Sequence, residues 1–356
     1  MHIVFVLSDP TRKMSGGYKM VYYYANALVE AGHTVDIIYK KYTKRSNRFL
    51  DFADSIVRIY FTITEPRWFA LNSKIKKKFT IRLKKKYFEP VDVVIATTVD
   101  TIYDINECIP EGKEVVYFIQ DFENWGREDS YVYHSYQSDS KKVVVSKWLK
   151  EIVDRFSIGE SIYIPNGIDL DVFSLTSCDS IEKRNRYTVS MLYHVQERKN
   201  TKLALDVLYE VKKHIPELSV NIFGTPERPD DLPEWFRYTQ NATAEQLRDI
   251  YNDSSIFLCT SNVEGYGLTG IEAMACGCAL VTTNCQGVLE YAVDGKNALI
   301  CQIKDKNGLV DAVLTLMTDV SLRTSLAHYG CKAAQNYSIK DAKEGFISLI
   351  EGATQK

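Results

Sequence analysis

The sequence predicts an α/β protein built from two parallel-sheet domains. Three observations carry the prediction. The chain has 356 residues, more than a single hydrophobic core usually serves. Short uninterrupted apolar runs alternate with helix-like segments in both halves, as in strands buried on both faces. Two of these runs end in glycine-containing turns that lead into a helix, at residues 8–17 and 260–270.

Composition narrows the class. Hydrophobic residues are 45% and charged residues 25%, the balance of a soluble globular protein. No apolar run is long enough to span a bilayer. Residues 1–7 carry no basic leader and read as a first strand, which points to a cytoplasmic protein. None of the eight cysteines, Cys178 among them, forms a C-x-x-C, and most lie in apolar runs, so they read as reduced, buried small residues. Cys276 and Cys278 have no neighbouring His to complete a metal site, and no metal is expected. The formal net charge of −2 is unevenly spread: residues 1–168 hold 25 Lys+Arg and 21 Asp+Glu, residues 169–356 hold 19 and 25. The first half is therefore the one suited to an anionic partner.

In the first half, strands are expected at residues 2–7, 34–39, 56–62, 91–97, 114–119, 142–145 and 161–164. A helix over 18–31 is closed by Gly32. The turn after the first strand carries Gly16 and Gly17, which permit close backbone approach to a phosphate or a sugar, but its spacing is not G-x-G-x-x-G. Residues 73–88 hold eight cations and no acid, and Ile75, Phe79, Leu83 and Tyr87 recur every four residues. That spacing predicts an amphipathic helix. It is either an interfacial helix drawn to anionic lipid at the inner face of the membrane or a solvated helix packed on the sheet. No nucleic-acid reader motif is present. Residues 117–125 finish a strand and continue into a polar loop with Asp121 and Trp125; Tyr131, Tyr133, His134 and Tyr136 follow. Aromatic faces beside carboxylates and amides suit a carbohydrate, and an ordinary aromatic-rich loop has the same composition.

Residues 164–171 form a turn-rich boundary. Asp169 and Asp171 make a D-x-D, which fits turn and capping roles better than a divalent metal. Strands follow at 187–193, 219–223, 255–260, 279–282 and 298–301. His194, Arg198 and Lys199 cluster between the first of them and a helix at 201–215, where cations and helix N–H groups favour a diphosphate; a solvated loop is the plainer reading. Residues 339–350 read as an amphipathic helix. The densest segment is 264–272, where Glu264 and Glu272 enclose Gly265, Tyr266, Gly267, Leu268 and Gly270. It reads either as an acidic strand-to-helix turn or as a ligand loop whose carboxylates accept sugar or ribose hydroxyls.

These segments in this order resemble the family 4 retaining glycosyltransferases of the GT-B fold. The carrying residues are Gly16-Gly17, 31–35, 145–148, 164–169, Lys199, 264–267, 272–277, Gly287, Glu290, Asp294 and Gly295. Residues 117–125 also look like a subset that transfers deoxyhexoses such as rhamnose in bacterial surface-glycan assembly. The resemblance implies two Rossmann-like domains facing across a cleft. Residues 1–168 would be the acceptor domain and 169–335 the nucleotide-sugar donor domain, with residues 336–356 a helix packing back toward the N-terminal domain. It implies that Glu272 holds ribose hydroxyls, Glu264 the donor sugar, the amides of Gly265 to Leu268 the diphosphate and sugar, and Lys199 the phosphate. Gly16 and Gly17 would meet the donor, and Asp121, Trp125 and His134 the acceptor. The family usually has Gly-Arg where this chain has Tyr193-His194, and Gly at Asn200. His194 is then a weaker substitute for the arginine, or Arg198 takes the charge. The implied reaction moves a sugar from a nucleotide diphosphate to a hydroxyl of a glycan or lipid-linked acceptor, without cofactor or metal, in cell-surface polysaccharide synthesis. A nucleotide-sugar epimerase and a non-catalytic nucleotide-sugar-binding subunit are the alternatives.

Overall fold

The computed structural model describes residues 1–42, 48–176 and 180–353, so Cys178 lies outside the described residues. The chain divides into two units, Met1–Pro165 with Asp341–Lys356, and Asn166–Lys340.

The first unit runs β1 (His2–Leu7), α1 (Gly16–Glu30), β2 (Thr34–Lys40), α2 (Arg48–Thr64), β3 (Lys76–Thr80), β4 (Val93–Ala96), α3 (Val99–Asn106), β5 (Glu114–Ile119), α4 (Asp129–Ser135), β6 (Lys141–Val144), α5 (Lys147–Phe156) and β7 (Ile162–Tyr163). Among the described residues the sheet is seven-stranded, in the order β3-β2-β1-β4-β5-β6-β7, and its strands pair in parallel. The apolar runs of β1, β4 and β5 are buried almost throughout, which is why they were legible as strands. Helix α1 stops where expected. Gly32 takes φ 90°, its N–H donates to the carbonyl of Val29, and the His33 N–H reaches back to Leu28.

The second unit runs α6 (Ser180–Lys183), β8 (Thr188–Tyr193), α7 (Thr201–His214), β9 (Ser219–Gly224), β10 (Phe236–Gln240), α8 (Ala244–Asp253), β11 (Ile256–Cys259), α9 (Leu268–Ala275), β12 (Ala279–Thr283), β13 (Ala298–Cys301), α10 (Lys306–Thr318) and α11 (Val320–Ala334). Its parallel sheet is ordered β10-β9-β8-β11-β12-β13. A last helix, α12 (Ile339–Ala353), continues into the first unit, where Phe346 stacks on Tyr24 at 4.2 Å between ring centroids and meets Phe118 edge-on at 5.7 Å. The two parallel sheets with interleaved helices are the two Rossmann-like domains that the sequence predicts.

Two expectations are corrected. Residues 56–62 are helix, not strand. Their β-branched and aromatic residues suit a sheet by propensity, but polar residues at helical spacing win: Lys41 ties Asp51 and Ser55 to the body of the unit, and Thr62 bonds the carbonyl of Arg58 within α2. Residues 73–88 are not an amphipathic helix. They form the edge strand β3, a connecting loop and a 3₁₀ turn at Lys85–Tyr87. Ile75 and Leu83 are buried, but through strand and loop geometry. Residues three or four apart can fill one side of an irregular segment as well as one side of a helix. The sequence also left β10 unnamed; with one partner strand and three polar residues, Arg237, Thr239 and Gln240, it has little apolar signal.

Asp169 makes a turn: its carboxylate accepts the N–H of Asp171, and its carbonyl accepts those of Val172 and Phe173. The described cysteines are all free, including Cys276 and Cys278. Cys278 Sγ donates to the carbonyl of Tyr251. Among the described residues, no helix is long and apolar enough to cross a membrane.

Candidate active site

The strand β11 delivers its chain into the loop 260–267, and α9 starts directly after it. Gly267 caps the helix with φ 85° and ψ 51°, a left-handed conformation that favours glycine. A Cβ there would lie 2.8 Å from Val288 Cγ2 and 3.0 Å from the Tyr291 hydroxyl, which donates to the Gly267 carbonyl. A Cβ on Gly270 would strike the same hydroxyl. These two glycines therefore serve the packing of Tyr291 under the loop as well as any ligand above it.

Glu264 sits in this loop, 5% exposed. Lys199 Nζ donates to both its oxygens, at 2.6 and 2.7 Å, and the Ser261 hydroxyl donates to Oε1 at 2.7 Å. Burial pushes the Glu264 carboxyl up. The Lys199 ammonium, the Arg198 guanidinium and the hydrogen bonds from Lys199 and Ser261 outweigh that, and hold it below the usual carboxylate range. The loop is also tied sideways, by Glu264 N–H to Cys285 and by Gly287 N–H to the Glu264 carbonyl. This pairing was not visible in the sequence, where the two partners are 65 positions apart.

Lys199 closes a 3₁₀ turn, Glu197–Lys199, between β8 and α7. Asn200 follows at φ 47°, which explains why asparagine can stand where the family uses glycine: it is among the few side chains that tolerate the left-handed region. The turn is laced to the β11 loop. Asn262 N–H donates to Arg198, Asn200 Nδ2 to Asn262, and Thr260 Oγ1 to Asn200. His194, at the end of β8, donates its N–H to Thr201 Oγ1, and its Nδ1 accepts the N–H of Gln196. One ring nitrogen is thus spent on the turn, which fits a supporting role better than a full replacement for an arginine. Arg198 donates from Nε to Gln196 at 3.1 Å. Glu272 lies in α9, 3% exposed.

In the first unit, Gly16 and Gly17 open α1 at the carboxyl end of β1. A Cβ on Gly17 would stand 3.5 Å from Gln120 Nε2, and Gln120 Oε1 is buried without a hydrogen-bond partner among the described residues. Gln120 was not singled out in the sequence; its place directly after an apolar strand was the available signal. His134 stacks against Tyr103 and lines a cavity of about 710 Å³ with Arg127, Glu128, Ser130 and Tyr131. Asp121 and Trp125 are not part of that lining. Asp121 accepts the N–H of Phe122, and Trp125 is half exposed. Glu123, also not singled out, is buried and accepts the N–H of Val99 at the start of α3. Burial pushes its carboxyl up to about 8.

The fold is that of the GT-B glycosyltransferases. Over 99% of its length the chain superposes on 98% of sucrose-phosphate synthase from Thermosynechococcus elongatus, with TM-score 0.76 and 16% identity. It superposes equally widely on the whole of Anabaena HepE, solved with UDP and glucose, with TM-score 0.74 and 13% identity. Residues 179–333 match the family model described as Glycosyl transferases group 1, and that segment holds the Lys199–Glu264 pair, the loop and Glu272. Among curated relatives, the capsular polysaccharide biosynthesis glycosyltransferase CapM of Staphylococcus aureus is 22% identical over 214 residues, 56% of this chain and 55% of CapM. The poly(glycerol-phosphate) alpha-glucosyltransferase of Bacillus subtilis is 26% identical over 166 residues, 43% of this chain and 24% of that protein. The chain thus spans about half, or less, of the length of these relatives. The resemblance to GT-B glycosyltransferases that the sequence carries holds in the fold and in this segment.

Proposed function

We propose that this protein is a glycosyltransferase that moves a sugar from a nucleotide diphosphate to a hydroxyl of a glycan or lipid-linked acceptor in cell-surface polysaccharide synthesis. Configuration at the anomeric carbon is retained and no metal is needed. The observation that carries the reading is the buried Lys199–Glu264 pair beside the N-terminus of α9.

The chemistry follows from that pair. Lys199 has three N–H donors and gives two to Glu264, so the third can meet a diphosphate oxygen. Arg198 and the N-terminal amides of α9 add positive potential where a leaving diphosphate gains charge. Those groups do the work a divalent ion would do. Glu264 is ionised, and Lys199 and Ser261 occupy both its oxygens. A carboxylate so held is a poor nucleophile and a poor base. This supports a mechanism in which the leaving phosphate takes the acceptor proton on the face it departs from, which gives retention. Glu272 accepts the ribose hydroxyls, and Gln120 with Gly17 offers a place for a sugar hydroxyl. The relatives support the class: one is a capsular polysaccharide biosynthesis glycosyltransferase, another a poly(glycerol-phosphate) alpha-glucosyltransferase, and a structural neighbour is solved with UDP and glucose.

A panel of nucleotide sugars with and without acceptor tests the reading. A transferase releases nucleoside diphosphate and glycosylated acceptor together. An altered sugar still attached to its nucleotide, formed without acceptor, would make the protein an epimerase, and binding with no turnover across the panel would make it a binding subunit.

A further inference from the structure

The cavity between α3 and α4 in the first unit takes no part in the chemistry of the Lys199–Glu264 pair. Tyr103, Tyr131 and His134 form its aromatic wall, and Arg127, Glu128 and Ser130 its polar rim. Its volume of about 710 Å³ lies inside the ~300–1,000 Å³ range of small-molecule sites, and a mainly aromatic lining with a few polar groups is what such sites have. The wall is fixed from behind. Tyr103 Oη donates to the carbonyl of Tyr131 at 2.7 Å, and the two rings meet at 4.7 Å between centroids, tilted by 42°. The His134 ring runs nearly parallel to that of Tyr103, at 16° and 6.2 Å. Asp100 accepts from Arg127 Nη2, and the guanidinium lies 5.3 Å from the centroid of the Tyr131 ring. Tyr131 nevertheless stays 40% exposed, and His134 is exposed as well. Rings held in place yet open to solvent lose little freedom when an apolar face covers them.

Charge selects the ligand. Asp100 cancels the charge of Arg127, and Glu128 leaves the rim with a negative excess. A phosphate, a diphosphate or an acidic sugar is therefore disfavoured here, the reverse of the Lys199 turn in the second unit. A ligand with apolar C–H faces and a rim of uncharged hydroxyls fits. The Glu128 carboxylate accepts from such hydroxyls, Ser130 both donates and accepts, and the Arg127 N–H groups that Asp100 leaves over donate.

We infer that this cavity holds a neutral pyranose unit of the acceptor, with the sugar's C–H faces against Tyr103, Tyr131 and His134 and its hydroxyls on Glu128, Ser130 and Arg127. The inference rests on the transferase reading only in calling that sugar part of the acceptor. It narrows the acceptor class: the unit recognised here is an uncharged sugar, and any phosphate of a lipid-linked acceptor lies outside the cavity.

Saturation-transfer NMR on the whole protein tests the cavity without any transfer reaction. The probes are the methyl glycosides of glucose, galactose, mannose, N-acetylglucosamine and rhamnose, with glucose 6-phosphate as the charged control. A mixture of UDP, GDP and dTDP is present throughout to fill a donor site. At least one neutral glycoside should receive saturation at its ring C–H protons, and the charged control should receive none. Tyr131→Ala should lower the signal about five- to tenfold, and Tyr131→Phe, which keeps the ring, should keep the signal. Tyr131 is exposed, and circular dichroism checks that both variants fold. In transfer assays Tyr131→Ala should raise the KM for the acceptor by the same factor, and not that for the nucleotide sugar. The inference is overturned by no saturation of any neutral glycoside, by equal saturation of glucose 6-phosphate, or by a signal that Tyr131→Ala leaves intact. Absence of transfer from every donor would overturn the transferase reading instead, and the NMR outcomes would still decide what the cavity binds.

Discussion

Replacing Lys199 by methionine probes the pair at the centre of the site. The substitution keeps a long apolar stem and removes the ammonium. At 2.6–2.7 Å the two charges attract by about 6 kcal/mol at an effective dielectric constant of 20, and desolvation of both takes part of that back. Breaking a buried pair from one side costs about 3–5 kcal/mol; the low end applies here because Lys199 keeps 16% side-chain exposure. The loss must depend on pH. In the native protein the Glu264 carboxyl lies below its ordinary value, so it adds stability above the unfolded value and loses it as pH falls through the folded one. Without Lys199, burial dominates and the carboxyl rises above the ordinary value, so Glu264 becomes a burden that grows as pH rises. Denaturant unfolding of both proteins from pH 7 down past the ordinary carboxylate value of 4.5 should show a gap of about 3 kcal/mol at neutral pH that closes only below 4.5, where Glu264 takes up its proton in the native protein. A gap that stays constant with pH would refute the ion-pair account, and so would a variant as stable as the parent at neutral pH.

Further expectations test neighbouring features. Glu272→Ala should cut kcat/KM for the nucleotide sugar more than tenfold, in line with loss of a hydrogen bond to a charged group in a buried site; steady-state kinetics at several donor concentrations check it. Transfer should persist in excess EDTA, and complete loss restored by Mg²⁺ would instead assign a metal role. Gly267→Ala should destabilise by about 1–3 kcal/mol through its left-handed backbone and the approach of Val288 and Tyr291, whereas Gly295→Ala, at φ 67° with open space around it, should cost less. Glu123 keeps its proton in the folded protein from 4.5 up to about 8, while the unfolded chain gives it up, so it erodes stability as pH rises through that window. Glu123→Gln keeps an acceptor for Val99 and should gain on the parent steadily from pH 5 to pH 8, to a few kcal/mol at most; unfolding curves at those pH values decide it.

How far the sequence could be read depends on where each element lies. β1, β4, β5 and β11 were legible because strands covered on both faces must be apolar almost throughout, and glycine at position 32 marked a helix end that only its φ of 90° required. The edges misled. β3 is a lysine-rich strand with a partner on one side, and β10 a polar one, so neither shows the apolar run that marks a central strand. α2 misled for the opposite reason: its β-branched and aromatic residues at 56–63 face outward from a helix, and that run reads like a buried strand. At the site, the loop and its glutamates were legible as a motif. The Lys199–Glu264 pair was not, because only the adjacency of β8 and β11 brings those strand ends together. The acceptor-side residues were legible as a group of suitable chemistry, yet His134 lines a cavity that Asp121 and Trp125 do not.

The most direct test of the central claim is the release of nucleoside diphosphate from a matched nucleotide sugar, followed with and without acceptor in the protein and in Lys199→Ala. Acceptor-dependent release with a product of retained anomeric configuration, reduced more than tenfold in the variant, is the expected result. Release at the same rate in both proteins, or no acceptor-dependent release from any donor in a broad panel, would contradict it.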